Sequence, residues 1–238
     1  MDTVHEISKL VKYSPKRDVL FESLKKELSP NTPGVRVLCP TRWTVRADSL
    51  KSVLDNYVAL QALWDVAFWQ ASDTETKLRI MGVRTVMKTF DFFFGASLRF
   101  AVMRYSDNLS RTLQNEDLSA AEGQAAASVT ISSLSSKQTD EAFNNFWAAL
   151  EEQMVDLDVE KPTLPRKRKM PKRFEIGNAS YEYPGRPKDM YHQKYFEVYD
   201  VSIAAIRERF NQPGFQLYRH LQDLLLKAFK AILFLILT

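Results

Sequence analysis

Six cations stand within the eight positions from Arg166 to Arg173 in PRKRKMPKR: Arg166, Lys167, Arg168, Lys169, Lys172 and Arg173. The neighbouring prolines keep this run out of a helix, so its charge is presented as an exposed, irregular segment. Such a run reads as a nuclear import signal or a nucleic-acid patch, with a merely solvated loop as the plain alternative. If it binds nucleic acid, affinity must fall steeply with salt, because each neutralised phosphate releases counterions. A second cationic set is Arg42 and Arg46, four residues apart where a helical pattern begins. On one helix face near an N-terminus, two guanidiniums and the backbone N–H groups form a seat for a DNA phosphate, or else the pair is simply solvated. Trp43 is either the first knob of the helix stripe or a face on which a displaced base stacks.

Other reactive groups are sparse. Cys39 is the only cysteine, which excludes an internal disulfide framework, and with no histidine close in sequence it reads as a small buried hydrophobe. His5, His192 and His220 offer no pair at metal-ligand spacing, so no zinc site is expected. Asp48, Asp55 and Asp65 fall on one predicted helix, and Glu151, Glu152, Asp156, Asp158 and Glu160 cluster at another helix's end. Two-metal nucleases instead converge carboxylates from separate elements on ions about 4 Å apart. The acidic cluster reads as a solvated face, and no catalytic residue, cofactor or small-molecule substrate is expected.

The elements that must position these residues follow from composition. A chain of 238 residues with 45% hydrophobic content can bury a substantial core, as one large domain or two small ones. Seven glycines and ten prolines are few, and the prolines bunch near residues 30–40 and 162–187. Long stretches free of helix breakers predict a mainly α protein. The net charge of +4 is mild, so any nucleic-acid contact depends on where the charge sits. The N-terminal MDTVHEISKLVKY lacks a basic region followed by an apolar core, so an intracellular location is expected. The charge-free run after Lys230 is eight residues, against about 20 for a spanning helix, so no membrane segment is predicted.

Along the chain, the spacing predicts a helix over Thr3–Tyr13 and a second capped by Ser14, with Pro15 at its first position, running to about Leu28. The run VRVL, Val35–Leu38, suits one buried strand, though nothing nearby would pair with it. Trp43, Ala47, Leu50, Leu54, Tyr57, Trp64 and Phe68 form one stripe of a helix about 27 residues long. Ser72 and Glu75 read as a capping box for the next helix, with Leu78, Met81, Val86 and Phe90 as its apolar face. Its apolar face leads into FDFFFGASLRFAVMRY, where four phenylalanines in five positions, Phe90, Phe92, Phe93 and Phe94, must be core. Residues about 117–156 read as one long helix with a stripe at Phe143, Phe146, Trp147, Leu150, Met154 and Leu157; residues 126–137 either kink it or form a serine-rich loop joining two helices. After Pro187, the residues Tyr191, Tyr195, Phe196, Tyr199, Ile203, Ile206 and Phe210 share a helix face. A last helix starts near Phe215, and Leu224–Leu237 is too apolar for a helix with one wet side, so something must cover it. Self-association through this segment is one answer; a prematurely ended reading frame is another.

Three stretches in this order, SPKR opening a helix, LCPTRW before a long helix and YFEVYDVSIAAIRERF after a basic loop, resemble hAT-superfamily transposase-derived proteins, in particular the zinc finger MYM-type protein 1-like group. The resemblance covers roughly residues 3–228 and implies an RNase H-like core interrupted by a large helical insertion. It implies a domain plan of core remnant at 1–40, helical insertion at 41–160, basic proline-containing loop at 161–187, and the insertion's last helices with the apolar tail at 188–238. Val35–Leu38 would then be the last core strand, and Arg42 and Trp43 the family's paired residues, with the tryptophan near transposon-end DNA. The family's two catalytic aspartates lie N-terminal to the matching region and its glutamate beyond the insertion. The resemblance therefore implies a non-catalytic, nuclear fragment that contacts DNA or protein partners. Its rivals are one piece of an active transposase whose carboxylates lie outside this chain, and an unrelated helical adaptor binding through aromatic-rich grooves.

Overall fold

A computed structural model describes residues 2–37, 46–116, 118–165 and 184–237, with side chains in the last stretch given as far as Ile232. The described residues are mainly α, in ten helices, with no strand among them. α1 (Asp2–Lys12) and α2 (Pro15–Leu28) make a hairpin turned at Tyr13–Ser14. Pro15 sits where its missing N–H breaks no helical bond. Ser14 contributes its backbone carbonyl, 2.9 Å from Asp18 N, and no side-chain cap. In place of the expected strand, Val35–Val37 run without regular structure, and Leu38 lies outside the described residues. Val35 is buried, and Arg36 N–H donates to the Ser52 hydroxyl at 3.0 Å, so a helix side chain takes the role a neighbouring strand would have had.

The expected 27-residue helix is two: α3 (Arg46–Asp55) and α4 (Tyr57–Gln70) meet at Asn56. The Asn56 side chain is fully buried and donates to Ser52 O at 2.7 Å and Pro33 O at 2.8 Å, while accepting from Thr32 Oγ1 at 2.9 Å. An asparagine that bonds neighbouring backbone competes with the helix ladder, which breaks a helix that the apolar spacing runs straight through. Leu50, Tyr57 and Trp64 are nonetheless all buried, so the stripe survives the bend.

α5 (Thr74–Met87) differs from expectation in two ways. Its cap is Asp73, whose carboxylate accepts from Thr76 N–H at 2.7 Å, one residue beyond the predicted Ser72. Its buried face is Ile80, Val83 and Met87, whereas Leu78, Met81 and Val86 are exposed. Two apolar stripes at the same spacing compete on this helix, and packing against α1 and α4 selects the one that the hydroxyl of Tyr57 ties down through Met87 O, at 2.6 Å.

α6 (Phe90–Leu113) buries Phe90, Phe93 and Phe94, with Phe92 half-buried. The single helix expected over 117–156 is again two, α7 (Ala120–Ser135) and α8 (Asp140–Met154). The small polar stretch stays helical through Ser135, where alanine offsets the serines, and the break comes at Ser136–Thr139, where Thr139 Oγ1 accepts from Ala142 N–H at 3.1 Å. α9 (Pro187–Phe210) buries Tyr191, Tyr195, Tyr199 and Ile203, as its spacing predicts, and α10 (Pro213–Leu237) follows after a short turn. The aromatic centre lies between α6, α8 and α9, with ring centroids of Phe94 and Tyr191 4.7 Å apart and those of Phe90 and Trp147 5.3 Å apart. Val4, Ile7, Leu10, Val11 and Phe21 of the first two helices belong to the same apolar cluster.

Candidate interaction surfaces

The beginning of α3 gathers charge from three parts of the chain. Arg46 opens the helix, Arg36 precedes it, and Arg111 comes from the last turn of α6. Asp48 receives Arg36 Nη1 at 3.2 Å and lies 3.9 Å from Arg111 Nη2. Beneath them Asp107, only 4% exposed, accepts from Ala47 N–H at 3.1 Å. Burial pushes the Asp107 carboxyl above its ordinary range, against the opposing pull of the Ala47 bond and of Arg111 and Arg46. One of the backbone donors at the start of α3, Ala47 N–H, is thus already occupied by an internal carboxylate. What the site retains is a rim of three guanidiniums, of which Arg36 and Arg111 are about half exposed, around one surface carboxylate.

Of the sequence-predicted site residues, Arg46 stands at the opening of α3, as expected. Arg42, Trp43 and Arg166, Lys167, Arg168, Lys169, Lys172 and Arg173 lie outside the described residues, as does Cys39. Arg36 and Arg111 join Arg46 without having been anticipated. Arg36 is 12 residues from its carboxylate and Arg111 is separated from it by two intervening helices, so no local spacing could have signalled either contact.

The carboxylates that the sequence offered are dispersed. Asp55 pairs with Lys51 at 2.5 Å, Asp65 with Arg84 at 2.6 Å and Asp158 with Lys88 at 2.5 Å, while Glu151 accepts from Trp147 Nε1 at 2.7 Å. Asp65 belongs to α4, not to the helix of Asp48 and Asp55. Among the described residues no group of three or more His, Cys, Asp or Glu side chains is placed to hold a metal ion. His192 lies 2.8 Å from Asp140 and edge-on to Phe143, which makes it a packing and bridging residue between α8 and α9.

Two shallow grooves open between helices. The larger, about 670 Å³, has Phe94, Leu98 and Val102 in its lining and the Asp91–Lys194 pair at 3.0 Å on its rim. The second, about 460 Å³, runs between α3, α6 and α8, with Phe93, Phe100 and Phe146 along it.

The most unusual surface is α10. Its half-buried residues are Phe215, Arg219, Gln222 and Asp223, one side of the helix. That side rests on α7: Gln222 Oε1 accepts from Ala120 N–H at 2.7 Å, and the Arg219 guanidinium donates to the Gln124 side chain. The apolar residues face away, with Tyr218 58%, Leu221 51%, Leu225 69%, Phe229 65% and Ile232 56% exposed. Polar groups therefore dock the helix and leucines meet water, the reverse of an ordinary amphipathic arrangement. No helix among the described residues is long and apolar enough to cross a membrane. No protein-family model matches the chain, and no solved structure matches it.

Proposed function

We propose that this chain is a non-catalytic, hAT transposase-derived helical module that acts by contact, with α10 as its contact surface. The observation that carries this reading is the outward apolar face of α10, since exposed contiguous apolar surface on a folded chain marks an interaction site. The ordered motifs SPKR, LCPTRW and YFEVYDVSIAAIRERF support the transposon origin and a helical-insertion role. The test is fluorescence of the dye ANS with the purified chain at dilutions that keep it monomeric. Strong enhancement that falls on Leu225→Glu and Phe229→Glu is expected, and no enhancement contradicts the reading. A metal-dependent strand-transfer assay on the same chain is expected to be silent; turnover would favour the transposase alternative.

Nucleic-acid contact in the nucleus is the second reading, favoured by the convergence of Arg36, Arg46 and Arg111 on one rim. Arg42, Trp43 and the Arg166–Arg173 run, which lie outside the described residues, are the other cationic and aromatic candidates in the sequence for this contact. Duplex DNA binding followed by anisotropy between low and moderate salt is expected to weaken log-linearly. Replacing Arg36, Arg46 and Arg111 by alanine should reduce the slope by about 0.9 for each phosphate that is no longer neutralised. Binding that ignores salt contradicts this reading.

A further inference from the structure

We infer that α10 pairs with α10 of a second copy of this chain, along a seam formed by Tyr218, Leu221, Leu225, Ala228 and Ile232. This rests on the reading of α10 as a contact surface and names its partner. The five residues are spaced by three, four, three and four, the alternation that keeps one apolar line facing a partner helix. They lie opposite the side that docks on α7, so the seam is accessible while the helix stays attached to its own body.

Charge placement selects a second copy. An isologous contact sets the same patch against itself, residue i on j and j on i, so a patch carrying one sign of charge would repel its copy. Here Arg219, Asp223, Lys227 and Lys230 all fall on the far side of the helix, and the residues flanking the seam, Leu224 and Phe229, are apolar. Two identical seams therefore meet without opposed like charges, whereas a partner that presents charge to the seam would bury it unpaired.

Size also fits. Eight large apolar side chains of α10 are between 48% and 69% exposed. Leu226 shares the docking side with Gln222 and Asp223; the other seven, at on the order of 100 Å² each, offer about 700 Å² per protomer, within the range a standard stable interface takes from each partner. With 25 residues at about 1.5 Å per residue, α10 is long enough to lay this area along one continuous line.

The test is sedimentation equilibrium of the full chain over a concentration series. The expected result is a species of twice the 27.5 kDa protomer mass, with association about tenfold or more weaker in Leu225→Glu and in Ile232→Glu, and unchanged in Lys230→Glu on the opposite face. Far-ultraviolet circular dichroism of each variant checks that helix content is retained. A dimer indifferent to both seam substitutions overturns the inference. A chain that is monomeric throughout also overturns it, and the ANS measurement then separates two cases. Dye bound at α10 leaves the helix a contact surface for a different protein, and absence of dye binding removes that reading as well.

Discussion

α9 and α10 are consecutive helices of 24 and 25 residues, and both carry apolar residues at helical spacing, yet they end up facing opposite ways. Tyr191, Tyr195, Tyr199 and Ile203 of α9 are at most 4% exposed, while Tyr218, Leu221, Leu225 and Ile232 of α10 are at least 51% exposed. α9 meets a ready-made aromatic wall from α6 and α8, and its hydroxyls find partners at the wall's edge: Tyr191 donates to Asp91 at 3.0 Å and Tyr195 to Lys137 O at 3.0 Å. α10 meets instead the first two turns of α7, whose Ala120 N–H and Gln124 side chain ask for hydrogen-bonding partners. Helical periodicity defines a face; the surface opposite it decides whether that face or its reverse is buried.

This contrast can be broken by substitution, beginning with the largest effect. Trp147 touches Phe90, Phe94, Phe143 and Tyr191, so Trp147→Ala should cost about 3–5 kcal/mol in urea unfolding. A loss under about 1 kcal/mol would mean that the aromatic centre is not close-packed. Asn56→Ala removes the three hydrogen bonds of a buried amide at the α3–α4 bend and should cost about 1–3 kcal/mol by the same measurement. Asp73→Ala should cost about 1 kcal/mol, with Ser72→Ala close to neutral, which discriminates the two caps by thermal melting.

Asp107 supplies a pH-dependent test. Its folded carboxyl titrates above the unfolded value near 3.8, so between those two values the native state holds more protons than the unfolded chain. Its contribution to stability therefore falls as pH rises through that window, and the penalty persists at neutral pH. Asp107→Asn keeps an acceptor for Ala47 N–H and removes the ionisation. Unfolding at a series of pH values should show the variant ahead of the wild type at pH 7, with the gap closing below pH 3.8; a gap that widens on acidification would reverse the assignment. The smallest effect is expected in α10, where Leu225→Ala in dilute protein should stay within about 0.5 kcal/mol of the wild type, as for an exposed side chain.

The mainly α class, the start of α2 with Pro15 at its first position and the buried face of α9 were legible from the sequence, because each rests on a local rule: proline at a first turn, or one unrivalled stripe. The break at Asn56 was not, since it depends on Thr32 and Pro33 arriving from a distant segment to engage the amide. The rotation of α5 was hidden for a similar reason. Leu78–Met81 and Ile80–Val83–Met87 are equally good stripes until α1 and α4 choose between them. At the candidate surfaces, Arg46 was visible through its place in the first turn of a helix, whereas its companions Arg36 and Arg111 are brought in by tertiary packing. The apolar excess of α10 was plain, and its outward direction was not, because the side that docks is fixed by two polar contacts to α7.

The outward face of α10 is tested most directly by hydroxyl-radical footprinting of the full chain, read by mass spectrometry across a dilution series. Heavy labelling of Leu225, Phe229 and Ile232 at the lowest concentration, declining as protein concentration rises while Phe94, Trp147 and Tyr195 stay protected throughout, is the predicted result. Labelling of α10 as weak as that of α9 in the most dilute sample would show the helix folded against its own body and would contradict the account.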